Sequence, residues 1–452
     1  MSLPVRICEV RTEYENHAYR APLKFGGIVT DKVTLLNVRV RVEDEQGRSV
    51  GGYGSMPLGN VWSFPSKRHH YDETLAAMKS LAEAFESITA CCTERGHPVE
   101  LSAILEPQYL DVAGRVAQAL SLEEPIPKLC TLVVASVFDA AIHDGYGKLH
   151  GVDSYSALGG DFLTRDLGDF LDERFNGESL QQYVSSHPQS SLPLYHLVGA
   201  VDPLEERDIE NRLNDGLPET LPEWIRQDGL THLKIKLNGD NLDWDVERVA
   251  RVDHLAEKTQ RELGVEDWVY SLDFNEQCEN VEYLLAFLAK IKERAPRAMQ
   301  RAQYIEQPTA RDLRAHPENK MHKAAAIKPV VIDESLVDYE TLLLAREQGY
   351  TGVALKACKG ITQALLMGAA AQKFGMFLCV QDLTCPGASF LLSAGLAAHV
   401  PTVAAIEGNG RQYVPGANAG WQERFPTVFT VSGGRIDASV INGPGLSIQP
   451  LP

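Results

Sequence analysis

The strongest constraint on this chain is a run of apolar, strand-like segments in its second half, each ending in a lone charged residue. They are HLKIKL (Lys234, Lys236), VYSLDFN (Asp273), QYIEQP (Glu306), VVIDES (Asp333) and GVALKA (Lys356). From Lys236 onward the charges lie 37, 33, 27 and 23 residues apart, room for one strand and one helix per step. Between them stand stretches with helical apolar spacing, among them NVEYLLAFLAKIKER, DYETLLLAREQG and ITQALLMGAAAQKFG. Strands alternating with helices imply parallel strands joined by crossovers. In a barrel of that kind the C-terminal strand ends meet at one mouth. The pattern predicts three carboxylates around one point with lysines on either side: a metal site flanked by two bases.

Taken singly, a carboxylate at a strand end usually caps a helix or faces solvent. Three at consecutive strand ends make chance convergence a poor account. The segment KIK adds to this, because strand alternation puts Lys234 and Lys236 on one face and Leu233, Ile235 and Leu237 on the other. Ammonium groups turned into a barrel interior need anions to meet them.

Composition narrows the partners. A formal charge of −18 over 452 residues argues against nucleic acid or an anionic membrane as the main partner. Eight cysteines without a CxxC spacing suit a reducing compartment, so a cytoplasmic location is expected. The first twenty residues have no apolar core of a secretory signal, and no apolar run approaches the ~20 residues that span a bilayer.

The first part of the chain reads differently. VRICEVRTEYEN, VTLLNVRVRVEDEQG and RSVGGYGSMPLG predict short antiparallel strands, followed by helices over about 71–95 and 110–122. A polar segment, about 160–191, reads as an insertion or lid-like excursion. The tail from about residue 411 carries only short strands and is expected to pack back on the N-terminal module. His69-His70 reads as a solvated loop, and Gly52-Tyr-Gly54 as a cap loop without the rest of a dinucleotide fingerprint.

With these residues in hand, the chain resembles the enolase superfamily, and within it the muconate-lactonizing-enzyme subgroup of the mandelate racemase/muconate lactonizing enzyme family. The family's KxK is similar to Lys234-Ile-Lys236, its DxN to Asp273-Phe-Asn275, its E-Q-P to Glu306-Gln-Pro308 and its D-E-S to Asp333-Glu-Ser335; the opposing lysine resembles Lys356. The resemblance implies an α/β fold: a modified (β/α) barrel over 126–410, an N-terminal α+β capping domain over 1–125, and a tail over 411–452 completing the cap. It implies Mg²⁺ held by Asp273, Glu306 and Asp333. A lysine or histidine base working with Mg²⁺ is the known pattern of such sites. The implied chemistry is removal of the proton α to a carboxylate through a metal-stabilised enediolate. Lys236 is then the base, Lys234 its electrostatic helper, and Lys356 the second base, acid or stabiliser.

Racemisation or epimerisation and cycloisomerisation fit this reading, with acid-sugar dehydration as the alternative and a non-catalytic carboxylate-binding barrel more remote. Asn275, Gln381, Asp382 and Glu407 at the strand ends are candidate substrate contacts. So are Tyr19, Arg20, Lys24 and Tyr53 in the cap. The eighth strand ends Glu407-Gly-Asn-Gly410. It therefore resembles the muconate cycloisomerases and succinylbenzoate synthases, which often carry glutamate there, and departs from the D-x-D of the dipeptide epimerases. Expected partners are a small carboxylate substrate and further copies of the chain.

Overall fold

The computed structural model describes residues 3–25 and 28–451. Three antiparallel strands open it: β1 (Arg6–Phe25), β2 (Ile28–Glu43) and β3 (Ser49–Pro57), side by side in that order. They are longer than the short strands expected. Alternation is clear in β2, where Val38, Val40 and Val42 are buried while Arg39 and Arg41 between them are exposed.

Helices Tyr71–Ala90 and Pro98–Ala119 follow. The second begins twelve residues before the expected start at 110, with Pro98 in its first turn, where the missing N–H costs nothing. His97 caps it: its Nδ1 accepts from Val99 N at 3.2 Å, and Glu100 reaches back to His97 N at 2.8 Å. His70 stands at the start of the first helix, with Glu73 accepting from its backbone N–H.

Helix Lys128–His150 corrects two expectations. By length and composition it could cross a membrane, contrary to the reading that no apolar run was long enough, yet it is enclosed within the protein. It also packs on the cap sheet, against β2 and β3. A Cβ on Gly52 would stand 2.1 Å from Ala141 O, and one on Gly54 2.2 Å from Val137 O. Gly52-Tyr-Gly54 is therefore no loop. It is a strand whose glycines let sheet and helix backbones touch, the usual meaning of glycine inside a strand.

Residues 151–190 run in 3₁₀ turns along the barrel's outer wall rather than over its mouth. Phe175 is buried between Tyr339 and Phe374, at ring-centroid distances of 6.0 and 5.8 Å. Gln372 Nε2 donates to Tyr183 O at 2.9 Å, and Lys373 pairs with Glu178 at 2.6 Å. The segment is a strap, not a lid.

The barrel has eight parallel strands: β4 (Ser191–Val198), β5 (His232–Lys236), β6 (Val269–Asp273), β7 (Ala302–Glu306), β8 (Val330–Ile332), β9 (Gly352–Leu355), β10 (Phe377–Val380) and β11 (Val403–Glu407). It closes through β11 on β4. A ninth strand, β12 (Arg435–Asp437), pairs antiparallel with the first residues of β4. The tail is thus shared. Val414 packs on Val33 and Leu35 of β2, and Leu446 N donates to Asp144 of the helix against that sheet, while β12 adds to the edge of β4. All eight cysteines are free.

Candidate active site

Pairing register builds the site. Lys236 stands opposite Asp273, and Asp273 opposite Glu306, so the three lie in one row across β5, β6 and β7. Asp333 follows the last residue of β8, and Lys356 the last of β9. Strand β9 is the fourth neighbour from β5 in either direction round the eight-strand ring, so their lysines enter from opposite walls.

The charged groups meet. Lys234 Nζ lies 2.9 Å from Glu306 Oε1, 2.9 Å from Glu407 Oε2 and 3.1 Å from Asp273 Oδ2. Lys236 Nζ donates to Asp273 Oδ2 at 2.5 Å and Asn275 Oδ1 at 2.8 Å. Lys356 Nζ stands 2.8 Å from Asp333 Oδ2. Gln381 Nε2 donates to Glu306 Oε2. Asn275, Gln381 and Glu407 therefore touch the cluster directly. Asp382 serves the loops instead, accepting from Cys385 N and Asn409 N, both at 3.2 Å.

The cap candidates divide. Lys24 Nζ donates to Asn238 Oδ1 at 3.0 Å, just past the end of β5. Tyr53 is turned away: its hydroxyl donates to Asn37 Oδ1, and its ring stacks near Trp421. Arg20 is committed to Asp215. Tyr19 packs beside Tyr413, ring centroids 6.4 Å apart.

Two residues of this site, Lys359 and Trp62, escaped the sequence reading, and Gln307 of the E-Q-P segment had no role in it. Lys359 Nζ donates to Asp333 O at 2.5 Å and lies 3.2 Å from its Oδ1. Trp62, from the cap, lays its ring 4.3 Å from Lys356 Nζ and donates from Nε1 to Glu334 Oε1 at 2.9 Å. Asn275 Nδ2 donates to that same oxygen at 3.3 Å. Gln307 ties two motifs together, its Oε1 accepting from Asp333 N at 3.0 Å while its Nε2 donates to Ser335 Oγ at 2.8 Å. It does so from φ 30°, a costly conformation for a non-glycine residue that the surrounding bonds must hold.

Burial and charge compete at each group. Burial alone would raise the Asp273 carboxyl, but Lys236 and then Lys234 outweigh it and hold it below the usual carboxylate range. Asp333 is held low against its burial by Lys356 and Lys359. Glu306 goes the other way, raised well up by burial and then by Asp273. Burial opposes the charge on Lys356 too, yet Asp333 raises it above an ordinary lysine. Lys359 is lowered, by burial first. Burial, then the charge of Asp333, pushes Glu334 up to about 7.

These residues fit a divalent cation by donor type and by charge. Asp273, Glu306 and Asp333 offer hard oxygen donors, which Mg²⁺ prefers. Six buried carboxylates (Asp273, Glu306, Asp333, Glu334, Asp382, Glu407) face four buried ammonium groups (Lys234, Lys236, Lys356, Lys359). Burial and the neighbouring carboxylates hold Glu306 and Glu334 against ionisation, a cost that a bound cation would offset. Glu334 Oε2 is buried without a hydrogen-bond partner. Among the described residues no three metal-binding side chains already stand at ligand spacing, and Lys234 Nζ bridges Asp273 and Glu306.

No curated protein sequence matches the chain. Its fold is similar to the L-Ala-D/L-Glu epimerase of Bacillus subtilis, 16% identical over 98% of each chain with a TM-score of 0.64. It is similar also to the muconate lactonizing enzyme of Pseudomonas fluorescens, 16% identical over 98% of this chain and 96% of that one, TM-score 0.62. A dipeptide epimerase of Enterococcus faecalis, solved with Mg and the dipeptide L-Leu-L-Tyr, is 15% identical over 98% of this chain and 99% of that one, TM-score 0.63. Residues 217–452 match the family described as Enolase C-terminal domain-like. That match spans more than half of the chain, which therefore belongs to the enolase superfamily of isomerases and lyases.

Proposed function

We propose that this enzyme removes the proton α to the carboxylate of a small acid, with Mg²⁺ held by Asp273, Glu306 and Asp333, and so racemises, epimerises or cycloisomerises it. The observation that carries this reading is the entry of Lys236 and Lys356 from opposite walls onto one carboxylate cluster. Two bases facing each other across a carbon suit delivery of a proton to the face opposite its removal.

The roles follow from the contacts. Lys234 Nζ donates to Glu306 and Glu407 and lies 3.1 Å from Asp273 Oδ2, so three carboxylates hold its charge in place. It is a fixed positive charge beside the site of the substrate carboxylate. Lys236 has two oxygen partners and a free direction, which makes it the proton acceptor of the pair. Lys356 can take a proton only when its pairing with Asp333 is broken, since that carboxylate keeps it charged. A bound divalent cation would supply electrostatic stabilisation of the charge that builds on the substrate's carboxylate oxygens.

The test is a library of carboxylic acids incubated in D₂O with and without Mg²⁺, read by mass spectrometry. Metal-dependent incorporation of α-deuterium into at least one acid is expected. Loss of water from a hydroxy acid would move the assignment to dehydration. No exchange in any acid, or exchange indifferent to metal, would remove the proposal.

A further inference from the structure

Two lysines hold Asp333, and they hold it differently. The backbone of Asp333 is pinned on both sides: its N–H donates to Gln307 Oε1 at 3.0 Å, and its C=O accepts from Lys359 Nζ at 2.5 Å. Lys359 Nζ also lies 3.2 Å from Oδ1 of the carboxylate. Lys356 takes the other oxygen, standing 2.8 Å from Oδ2. Lys356 thus meets the tip of the side chain, whereas Lys359 spans from side chain to backbone and limits how far the carboxylate can turn.

Lys359 itself has little freedom. It ends the 3₁₀ turn Ala357–Lys359, where its N–H donates to Lys356 O at 3.0 Å. The next residue, Gly360, has φ 110°, a conformation that L side chains rarely adopt, and leads the chain into helix Ile361–Lys373. The start of that helix is tied to helix Lys128–His150, Thr362 donating from N and Oγ1 to the two oxygens of Asp139 at 2.9 and 2.7 Å. Lys359 is 2% exposed, and Asp333 is the one carboxylate paired with it among the described residues. Its ammonium also faces the Trp62 ring, 5.7 Å from the centroid. As a source of stability this is poor, because an ammonium taken out of water for a share in one carboxylate recovers little. A buried charge kept for so little stability, with its contacts concentrated on one side chain of the site, points to a role in the site.

We propose that Lys359 is a positioning residue for the cation: it holds Asp333 by O and Oδ1 so that Oδ2 is the oxygen presented to the metal, and Lys356 occupies Oδ2 until a cation takes it. This rests on the assignment of Mg²⁺ to Asp273, Glu306 and Asp333. It gives opposite effects to two lysines on one carboxylate. Removing Lys356 takes away a competitor. Removing Lys359 also takes away a positive charge, which by itself would favour a cation, but it frees the carboxylate to turn.

The experiment is calorimetric titration of Mg²⁺ and of Ca²⁺ into the metal-free full chain, as wild type, Lys359→Met and Lys356→Met, with urea unfolding of each protein without metal. Lys359→Met should weaken Mg²⁺ by about tenfold or more, the usual effect of losing a group that orients a ligand. Ca²⁺ should weaken by less than about threefold, since it accepts irregular shells where Mg²⁺ demands an octahedral one. Lys356→Met should tighten Mg²⁺ by about fivefold or more through the loss of a like charge. The unfolding midpoint of Lys359→Met should stay at or above that of the wild type, because methionine fills similar space without the buried charge. Lys359→Gln, also uncharged, is the second variant and should lose Mg²⁺ in the same way. Mg²⁺ affinity unchanged or tighter in Lys359→Met and Lys359→Gln would overturn the proposal, as would an equal loss of Mg²⁺ and Ca²⁺ or failure of both variants to fold. A wild type that takes up no Mg²⁺ would remove the metal assignment and this proposal with it; a wild type that binds Mg²⁺ no better than the Lys359 variants would remove the role of Lys359 alone.

Discussion

Trp62 joins the cap to the catalytic cluster, and replacing it with phenylalanine isolates one hydrogen bond. The ring beside Lys356 is kept in kind, but the Nε1–H to Glu334 is lost. Glu334 Oε1 is then left with Asn275 Nδ2 at 3.3 Å, and Oε2 has no donor in either protein. A hydrogen bond to a charged group contributes about 1.5–3 kcal/mol, a neutral one about 0.5–1.5 kcal/mol. Which applies depends on pH. Burial, then Asp333, raises the Glu334 carboxyl from 4.5 to about 7 in the folded protein. A raised folded value means that its contribution to stability is fully present below about 4.5 and is lost as pH climbs through 7.

Trp62→Phe should therefore cost about 1 kcal/mol at pH 5.5 and about 2 kcal/mol or more at pH 8.5, with a smaller common loss from the reduced ring. In a Glu334→Gln background the pH dependence should vanish. The assay is urea unfolding of wild type, both single variants and the double variant at the two pH values, treated as a double-mutant cycle. A coupling energy of about 1–2 kcal/mol at pH 8.5 is expected. If Trp62→Phe costs the same at both pH values and in both backgrounds, the bond does not do what the geometry says.

Three further outcomes can be checked. Mg²⁺ at a hundredfold excess over its Kd should stabilise the wild type by about 2.7 kcal/mol, and Asp273→Asn, Glu306→Gln or Asp333→Asn should abolish the rise in Tm; a rise retained in all three would place the ion elsewhere. With a substrate in hand, Lys236→Ala should stop α-exchange from one enantiomer and Lys356→Ala from the other, both variants keeping their Mg²⁺ response; full exchange in both would reject the two-base assignment. Burial raises the Asp144 carboxyl to about 6, so its share of stability is lost as pH rises from about 4 to 6; Asp144→Asn should flatten that part of the unfolding curve by up to about 3 kcal/mol, and an unchanged slope would contradict it.

The barrel and the core of its site were legible because lone charges interrupt runs that are otherwise apolar, and a strand's two-residue period says which face each side chain takes. Lys359 was not legible. It lies in a 3₁₀ turn after β9, where no period operates, and its meeting with Asp333 depends on how two loops fold together. Trp62 reaches the site across a domain boundary, 272 positions from Glu334 in the chain. The strap over 151–190 misled because Leu163, Leu167, Phe175 and Leu180 follow neither helical nor strand spacing, so its polar composition dominated. Tyr53 misled through its glycines, which read as a cap loop and are a contact seam.

The ninth strand has a consequence for how the ring is completed during synthesis. Strand β11 meets β4 at only two pairs, Ile406 with Leu194 and Glu407 with Tyr195, while the opening residues Ser191–Pro193 are taken by β12. The first stave of the barrel, β4, therefore waits with its three opening residues unpaired until a three-residue strand leaves the ribosome after all eight staves. An exposed strand edge is a template for wrong partners, and closure between distant parts of a chain is slow. A nascent chain stalled before Arg435 should be the aggregation-prone species of this protein, and a chaperone's interest should end when β12 seals that edge.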